Sequence, residues 1–373
     1  MATNNRPLKA YVRYDGSGRA VPGGLILNRF KPGMGNWSEI NAYECCNGPV
    51  PSSFVLRLTF NSIENASILV GDASNLSDWN TFFDLPTLGN SFTSVEIDGT
   101  TVVLYGASDI TVKDYLFQAN NNLLQIVDTG AIIAGGKMSF YNCDELTLIT
   151  LPNCKSLPFS VEDDYGCFEN CGNLVEVNLD TIEVIEDSCF YACISLTTVY
   201  APLLKTVTPT NIYGSFASCE SLINIDFPSL QTAGDESFNQ CYAATTVNLP
   251  NLTTIGDRCF VNAQSLINLS LPSLISAGYG AFSFSFILST IDLPNLTTLG
   301  ANAMQLCGDL QVINLPSCTD LGGTVGDDSV FLTVIGSTIT LTVPSALMTC
   351  NAGNPDGDIQ YLQANNTVTI VTV

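Results

Sequence analysis

From residue 117 onward one pattern of apolar and polar positions recurs along the chain. The segment SFASCESLINIDFPSLQTAGDE is followed by SFNQCYAATTVNLPNLTTIGDR, CFVNAQSLINLSLPSLISAGYG, AFSFSFILSTIDLPNLTTLGAN and AMQLCGDLQVINLP. Pro228, Pro250, Pro272, Pro294 and Pro316 stand 22 residues apart. Counting back from them gives eight copies, led by Phe140, Phe168, Phe190, Phe216, Phe238, Phe260, Phe282 and Met304, and Phe117 opens a degenerate ninth. Three residues after each of the eight leaders stands a small residue, and six after it a Leu or, once, Ala244. Nine after it comes Ile149, Val177, Val199, Ile225, Val247, Leu269, Ile291 or Ile313, inside a short alternating run. The spacing of three and six predicts a helical or 3₁₀ turn, and the alternation predicts a strand with one buried face. Proline then ends the strand where no ladder donor is needed. A fixed period of this length predicts a solenoid, in which each turn buries its apolar face against its neighbours.

The pattern also says what to make of the cysteines. Cys143, Cys171, Cys193, Cys219, Cys241 and Cys307 share one repeat position with Ala263 and Ser285. A site that accepts Cys, Ala and Ser selects for small volume, and equivalents in successive turns point the same way. Buried free thiols are therefore expected rather than disulfides.

The period breaks twice. Phe140 to Phe168 spans 28 residues and Phe190 to Phe216 spans 26. The extra residues fall in 155–166 and 206–214, beyond the strand. Insertions at one edge of a solenoid often bind ligands, which marks Phe159, Tyr165 and Tyr213 as candidate contacts; the alternative is loops that pack over the next turn. The outward strand positions form two polar rows with Tyr200, Asn224, Asp226, Asn248, Asn268 and Asp292. Such a face can hydrogen-bond glycans or stand as a solvated Asn/Thr ladder.

Residues 1–50 read as a separate arm. Lys9–Tyr14 and Val21–Leu27 flank an Asp-Gly-Ser-Gly turn and predict a hairpin, which two strands alone hold only marginally. Residues 51–116 predict a small β-rich domain, with strands at 54–60, 68–70, 94–97 and 101–104 and an Asp98-Gly99 hairpin turn. The aromatic cluster of Trp79, Phe82 and Phe83 is expected to pack a short helix onto it. Residues 117–321 are the solenoid, and 322–373 a C-terminal cap with strands at 338–343 and 367–373.

Charge separates the arm from the rest. The chain carries −23 overall, yet Arg6, Lys9, Arg13, Arg19, Arg29 and Lys31 face only Asp15 in the first 31 positions. The arm is thus +6 − 1 = +5 and the remainder −28. So acidic a body excludes nucleic acid as a partner. The basic arm, with Trp37 behind it, is a candidate anchor on an acidic partner; packing on its own body is the other reading. With 0 histidines, the commonest general base and metal ligand is missing. No nucleotide loop, nucleophile elbow or metal cluster stands out, so no enzyme and no cofactor are expected. The acidic stretches Gly326-Asp327-Asp328 and Asn354-Pro355-Asp356-Gly357-Asp358 depart from a calcium-loop pattern and read as turns. No apolar run is long enough to span a bilayer and no secretory h-region stands at the start, so a soluble chain without membrane insertion is expected.

The phrase F-x-x-C-x-x-L-x-x-I-x-L-P-x-L-x-x-I-G, over roughly residues 140–321, resembles the BspA-like class of leucine-rich repeat. The resemblance implies a β-rich α/β solenoid, a right-handed superhelix with a parallel sheet on one face, and a surface adhesion or interaction role. The arm YVRYDGSGRAVPGGLILNRFKPGMGNWSEI and the ending ITLTVPSALMTCNAGNPDGDIQYLQANNTVTIV resemble segments of virion-associated proteins from phages of Bacteroidota. That second resemblance implies a virion component released by lysis, anchored to other virion proteins by its arm and displaying the solenoid to host or mucosal glycans or proteins, with homo-oligomerisation possible. A secreted or cell-surface bacterial adhesin is the alternative.

Overall fold

The computed structural model describes residues 55–85, 91–160, 164–208, 213–322, 329–350 and 355–373, and the backbone of three strands at 10–13, 26–27 and 37–39. The chain divides into two compact units, Met1–Ser53 and Phe54–Val373. In the first, Ala10–Arg13 pairs antiparallel with both Ile26–Leu27 and Trp37–Glu39, so the expected hairpin gains a third strand.

The second unit is the solenoid. Most turns contribute a three-residue strand such as Asn268–Ser270, paired in parallel with neighbouring equivalents, in 22-residue register at Leu269↔Ile291↔Ile313 and 28 residues apart at Ile149↔Val177. A second parallel ladder follows the proline. Two- and three-residue strands from Val184–Ile185 to Asp320–Gly322 form a seven-stranded sheet that the sequence pattern did not suggest. The predicted helical or 3₁₀ turn after each leader takes the form of two consecutive tight turns with bonds between residues three apart. Cys219 N–H donates to Phe216 O at 3.2 Å and Leu222 N–H to Cys219 O at 3.1 Å. The helix is interrupted because the residue two after the leader is left-handed, as at Asn142 (φ 61°), Asn170 (60°) and Ser218 (59°). These turns bond along the axis as well: Phe190 N–H donates to Ser215 O at 2.8 Å and Ala192 N–H to Ala217 O at 3.0 Å. Every side of the turn thereby satisfies its buried backbone groups from its neighbours.

The leaders form a column of rings through the core. Phe117, Phe140, Phe168, Phe190, Phe216, Phe238, Phe260 and Phe282 stack in sequence with centroids 4.7–6.2 Å apart. Phe117 thus leads a genuine turn. So does Phe331, in a segment where the sequence had lost the repeat: Met304 N–H donates to Val330 O at 2.9 Å, as leaders do elsewhere, and Thr338–Val343 extends the first sheet in parallel. Thr367–Thr372 pairs with that strand and closes the described sheet.

At the other end Val55–Phe60 joins the first turn antiparallel to Leu123–Asp128 and carries the hairpin expected from strands 94–97 and 101–104, observed as Ser94–Asp98 and Thr101–Tyr105, beyond it. The run 68–70, expected as a strand, ends a helix, Ile63–Val70. Its β-branched residues are overridden by Ser62, which accepts from Asn65 N–H at the N-cap, and by Gly71 (φ 111°) at the C-terminus. Trp79 is buried on the following helix, Leu76–Phe82.

The described cysteines are free, and all but Cys350 are buried. The small-residue column has a second requirement beyond volume. Cys171, Cys193 and Cys219 donate their thiols to the carbonyls of Phe140, Phe168 and Phe190, the leaders one turn earlier, at 3.1, 3.2 and 3.2 Å, and Ser285 Oγ donates to Phe260 O at 3.5 Å. Burial pushes the Cys143, Cys241 and Cys307 thiols up to about 12, so they stay protonated donors. Cys219→Ser is expected to cost about 1 kcal/mol or less, since a donor remains, whereas Cys219→Val should cost about 1–3 kcal/mol by crowding. Denaturant midpoints of the two variants check this ordering.

Candidate functional site

The polar sheet face is a self-satisfied ladder. Asn248 Nδ2 donates to Asp226 Oδ1 at 2.7 Å, Asn314 Nδ2 to Asp292 Oδ1 at 2.6 Å, and Ser270 Oγ to Asp292 Oδ2 at 3.3 Å. Asp226 is therefore engaged by Asn248, and Asp292 by Asn314 and Ser270, across the strands. Tyr200 lies on the same row, 53% exposed, and Asn224 and Asn268 occupy the neighbouring row. Phe159 is half-buried, and its N–H donates to Glu186 Oε2 at 2.9 Å, which fastens the first insertion to the next turn.

The two insertion tyrosines stand elsewhere, on the face made by the tight turns. Here the residue one after each leader forms one axial column and the residue three before it forms another. The first column runs Tyr141, Glu169, Tyr191 and the second Tyr165, Asp187, Tyr213. Tyr165 packs on Tyr141 with centroids 4.6 Å apart at 41°, and Tyr213 stacks on Tyr191 at 4.2 Å and 8°. Tyr165 is 37% and Tyr213 41% exposed. The structure thus joins two residues flagged by the insertions to two that were missed. The signal was there: Phe-Tyr occurs at 140–141 and 190–191, and Tyr-Gly-Cys-Phe at 165–168 is echoed by Tyr-Gly-Ser-Phe at 213–216.

Between the tyrosine pairs lies Glu169, 1% exposed, whose Oε2 accepts from Gly166 N–H at 2.9 Å. Burial pushes its carboxyl up to about 7, and the Gly166 bond opposes that only in part. Burial also raises Tyr141 and Tyr191, with the Glu169 charge adding to it. The folded protein therefore holds the Glu169 proton more tightly than the unfolded chain. Its contribution is most favourable below the ordinary value of 4.5 and falls as pH rises to about 7. Glu169→Gln, which keeps an acceptor for Gly166, should gain stability relative to the parent across that window and hold the gain above it. Paired thermal melts at pH 4 and pH 8 measure the difference.

The proposed anchoring residues Arg6, Lys9, Arg19, Arg29 and Lys31 lie outside the described residues. Arg13 and Trp37 end and begin strands that pair at that position, with their side chains likewise outside the description. The stretch 326–328 also lies outside it. At the other acidic stretch, Asp356 is a helix N-cap rather than a simple turn: Oδ1 accepts from Asp358 N–H at 2.9 Å and opens Gly357–Asn365. Asp358, buried, accepts from Ser329 Oγ at 2.6 Å and Val330 N–H at 2.8 Å, tying that helix to the turn led by Phe331. Among the described residues no group of Cys, Asp and Glu is placed to hold a metal ion, and no helix is long and apolar enough to cross a membrane.

A family model described as BspA type leucine-rich repeat region, in 6 copies, matches residues 100–215 and 210–329. Among solved structures, a leucine-rich repeat protein from Bacteroides ovatus ATCC 8483 is 17% identical over 74% of this chain and 90% of its own, with a TM-score of 0.29. A leucine-rich cell surface protein from Faecalibacterium prausnitzii A2-165 is 16% identical over 76% and 89%, also with a TM-score of 0.29. No curated protein matches the chain.

Proposed function

The chain belongs to the BspA-type leucine-rich repeat family, and on that premise we propose that it is a non-enzymatic, surface-displayed binding protein. The observation that carries this reading is the pair of exposed tyrosine stacks at the two period breaks. The repeat dictates the leucines, phenylalanines and buried thiols as core; it does not dictate those tyrosines. On the sheet face Asp226 and Asp292 are engaged by Asn248, Asn314 and Ser270, whereas the turn face presents the exposed rings.

The finer proposal is a phage virion component, a fibre, decoration or tail-associated adhesin, attached to other virion proteins through its arm and displaying the solenoid to host or mucosal ligands. What supports it is the +5 arm beside a −28 remainder, together with the resemblance of both ends to virion-associated proteins. The family match alone favours a second reading, a cell-surface or secreted adhesin. Deleting residues 1–40 separates the two. A virion component anchored by the arm should lose co-sedimentation with particles on deletion, whereas undiminished incorporation of the truncated chain defeats the anchoring proposal.

A further inference from the structure

We propose that the corner between the tight turns and the first sheet is a self-association surface, on which a second copy of this chain lies antiparallel. The inference goes beyond the proposed binding role: the tyrosine stacks occupy other positions of the turn, and either reading can fail alone.

Two positions of that corner alternate along the axis. Four residues after the leader, the turns led by Phe190, Phe238 and Phe282 carry Ile194, Tyr242 and Phe286, whereas those led by Phe168, Phe216 and Phe260 carry Gly172, Glu220 and Gln264. Seven residues after it the order reverses. The second set carries Val175, Ile223 and Ile267, and the first Thr197, Thr245 and Ser289. These positions are in axial register, since the Thr197, Thr245 and Ser289 N–H groups donate to the Val175, Ile223 and Ile267 carbonyls at 2.8–3.0 Å. Val175, Ile194, Ile223, Ile267 and Phe286 are 42–53% exposed, and Tyr242 is half-buried. The result is a zigzag of apolar side chains over six turns, with a two-turn period of about 10 Å at strand spacing. Single exposed apolar residues need no account, but a continuous stripe of them marks an interaction site. Gln311 breaks the alternation on the turn led by Met304.

Pitch, charge and shape select a second copy as the occupant. An extended peptide repeats its face every ~6.7 Å and an α-helix every ~5.4 Å, so neither keeps step with six turns ~4.8 Å apart. Another solenoid of this sequence has the same pitch. The chain beyond the arm carries −28, which opposes self-association over most of its surface. Yet in the five turns led by Phe190 to Phe282, the positions four, five and seven after the leader carry a single charge, Glu220. Two copies therefore approach with least repulsion here. A two-fold axis perpendicular to the solenoid, between the Phe216 and Phe238 turns, sets each apolar side chain over a smaller or polar one, because the alternation reverses across that axis. Phe286 then lies over the partner's Gly172, Ile223 over the partner's Thr245, and the Tyr242 hydroxyl meets the partner's Glu220. A Cβ at Gly172 meets nothing within 4 Å on its own chain, which leaves space for the ring. Such an isologous contact closes at two copies.

Sedimentation equilibrium of the full-length protein should show a dimer that dissociates in the micromolar range. Ile223→Asp sets two carboxylates beside the two-fold axis, about one turn (~5 Å) apart, and should weaken the dimer at least about hundredfold. Phe286→Ala and Gly172→Gln should each weaken it about tenfold. Those two positions lie five turns, ~24 Å, apart on one chain, so a shared effect reports the antiparallel arrangement. Ile275→Asp, similarly exposed but beside the second sheet, should leave the dimer intact. Thermal melts that match the parent's exclude loss of the fold; should Ile223→Asp melt early, the Phe286→Ala and Gly172→Gln pair still decides. A parent chain that stays monomeric at about 100 µM overturns the proposal and leaves the stripe to a partner of another kind. An Ile275→Asp effect as large as that of Ile223→Asp, or a Gly172→Gln protein that dimerises like the parent, overturns it equally.

Discussion

Phe216→Ala is expected to destabilise the solenoid by about 3–5 kcal/mol, the largest effect of any single truncation proposed for this chain. The ring is fully buried. It stacks on Phe190 at 5.4 Å and Phe238 at 5.6 Å, and also touches Phe227 at 5.6 Å. Loss of those contacts leaves a cavity walled by rings that cannot all collapse into it. The consequence should exceed the local energy, because a solenoid is held by nearest-neighbour interfaces and Phe216 sits at one of them. Weakening that interface should uncouple the turns before it from those after it, converting one denaturant transition into two. Phe282→Ala is the comparison. Phe282 has a single described stacking partner among the leaders, Phe260 at 6.2 Å, and Met304 rather than a ring follows it. Its loss should be smaller, since methionine is flexible enough to fill part of the space. A Phe216→Ala melt that stays single and shifts no more than Phe282→Ala would refute the central role of the ring column.

What the sequence made legible was whatever the period imposes. Phe, Cys and Leu at fixed offsets could be read as core because every turn demands the same volume at the same place. The second sheet escaped because strands such as Thr254–Ile255 and Ser276–Ala277 are two residues long, too short for alternation to register. The turn led by Phe331 escaped because 27 residues separate it from Met304 and hide the period, although the backbone bonds continue unbroken. Helix Ile63–Val70 was hidden because its end is locally strand-like while its helical signal lies in the caps Ser62 and Gly71. The candidate site was half legible. Insertion length pointed to Tyr165 and Tyr213, but Tyr141 and Tyr191 belong to the regular turn and meet them only through the axial stacking of neighbouring turns. Glu169 carried no signal in the sequence; its burial follows from being flanked by tyrosines on the turns either side.

Gly214→Ala is expected to cost on the order of 3 kcal/mol and to remove the Tyr213 wall of the site along with that stability. The reason is backbone proximity rather than conformational freedom. A Cβ on Gly214 would collide with the carbonyl of Glu236 on the next turn, which is backbone and cannot swing away. Gly166, in the equivalent position before Phe168, faces the Ser188 carbonyl in the same way. The strain would fall directly on the bonds that place Tyr213: Ser188 N–H to Tyr213 O at 3.1 Å and Ala217 N–H to Gly214 O at 3.0 Å. Gly172→Ala provides the control, because a Cβ there meets nothing within 4 Å. It should be close to neutral, or slightly stabilising through the unfolded chain. The glycine after each insertion tyrosine thus couples scaffold to site: it permits the close approach of turns that sets the ring where a partner can reach it. If Gly214→Ala melts like the parent, neither the tight inter-turn contact nor the coupling is real.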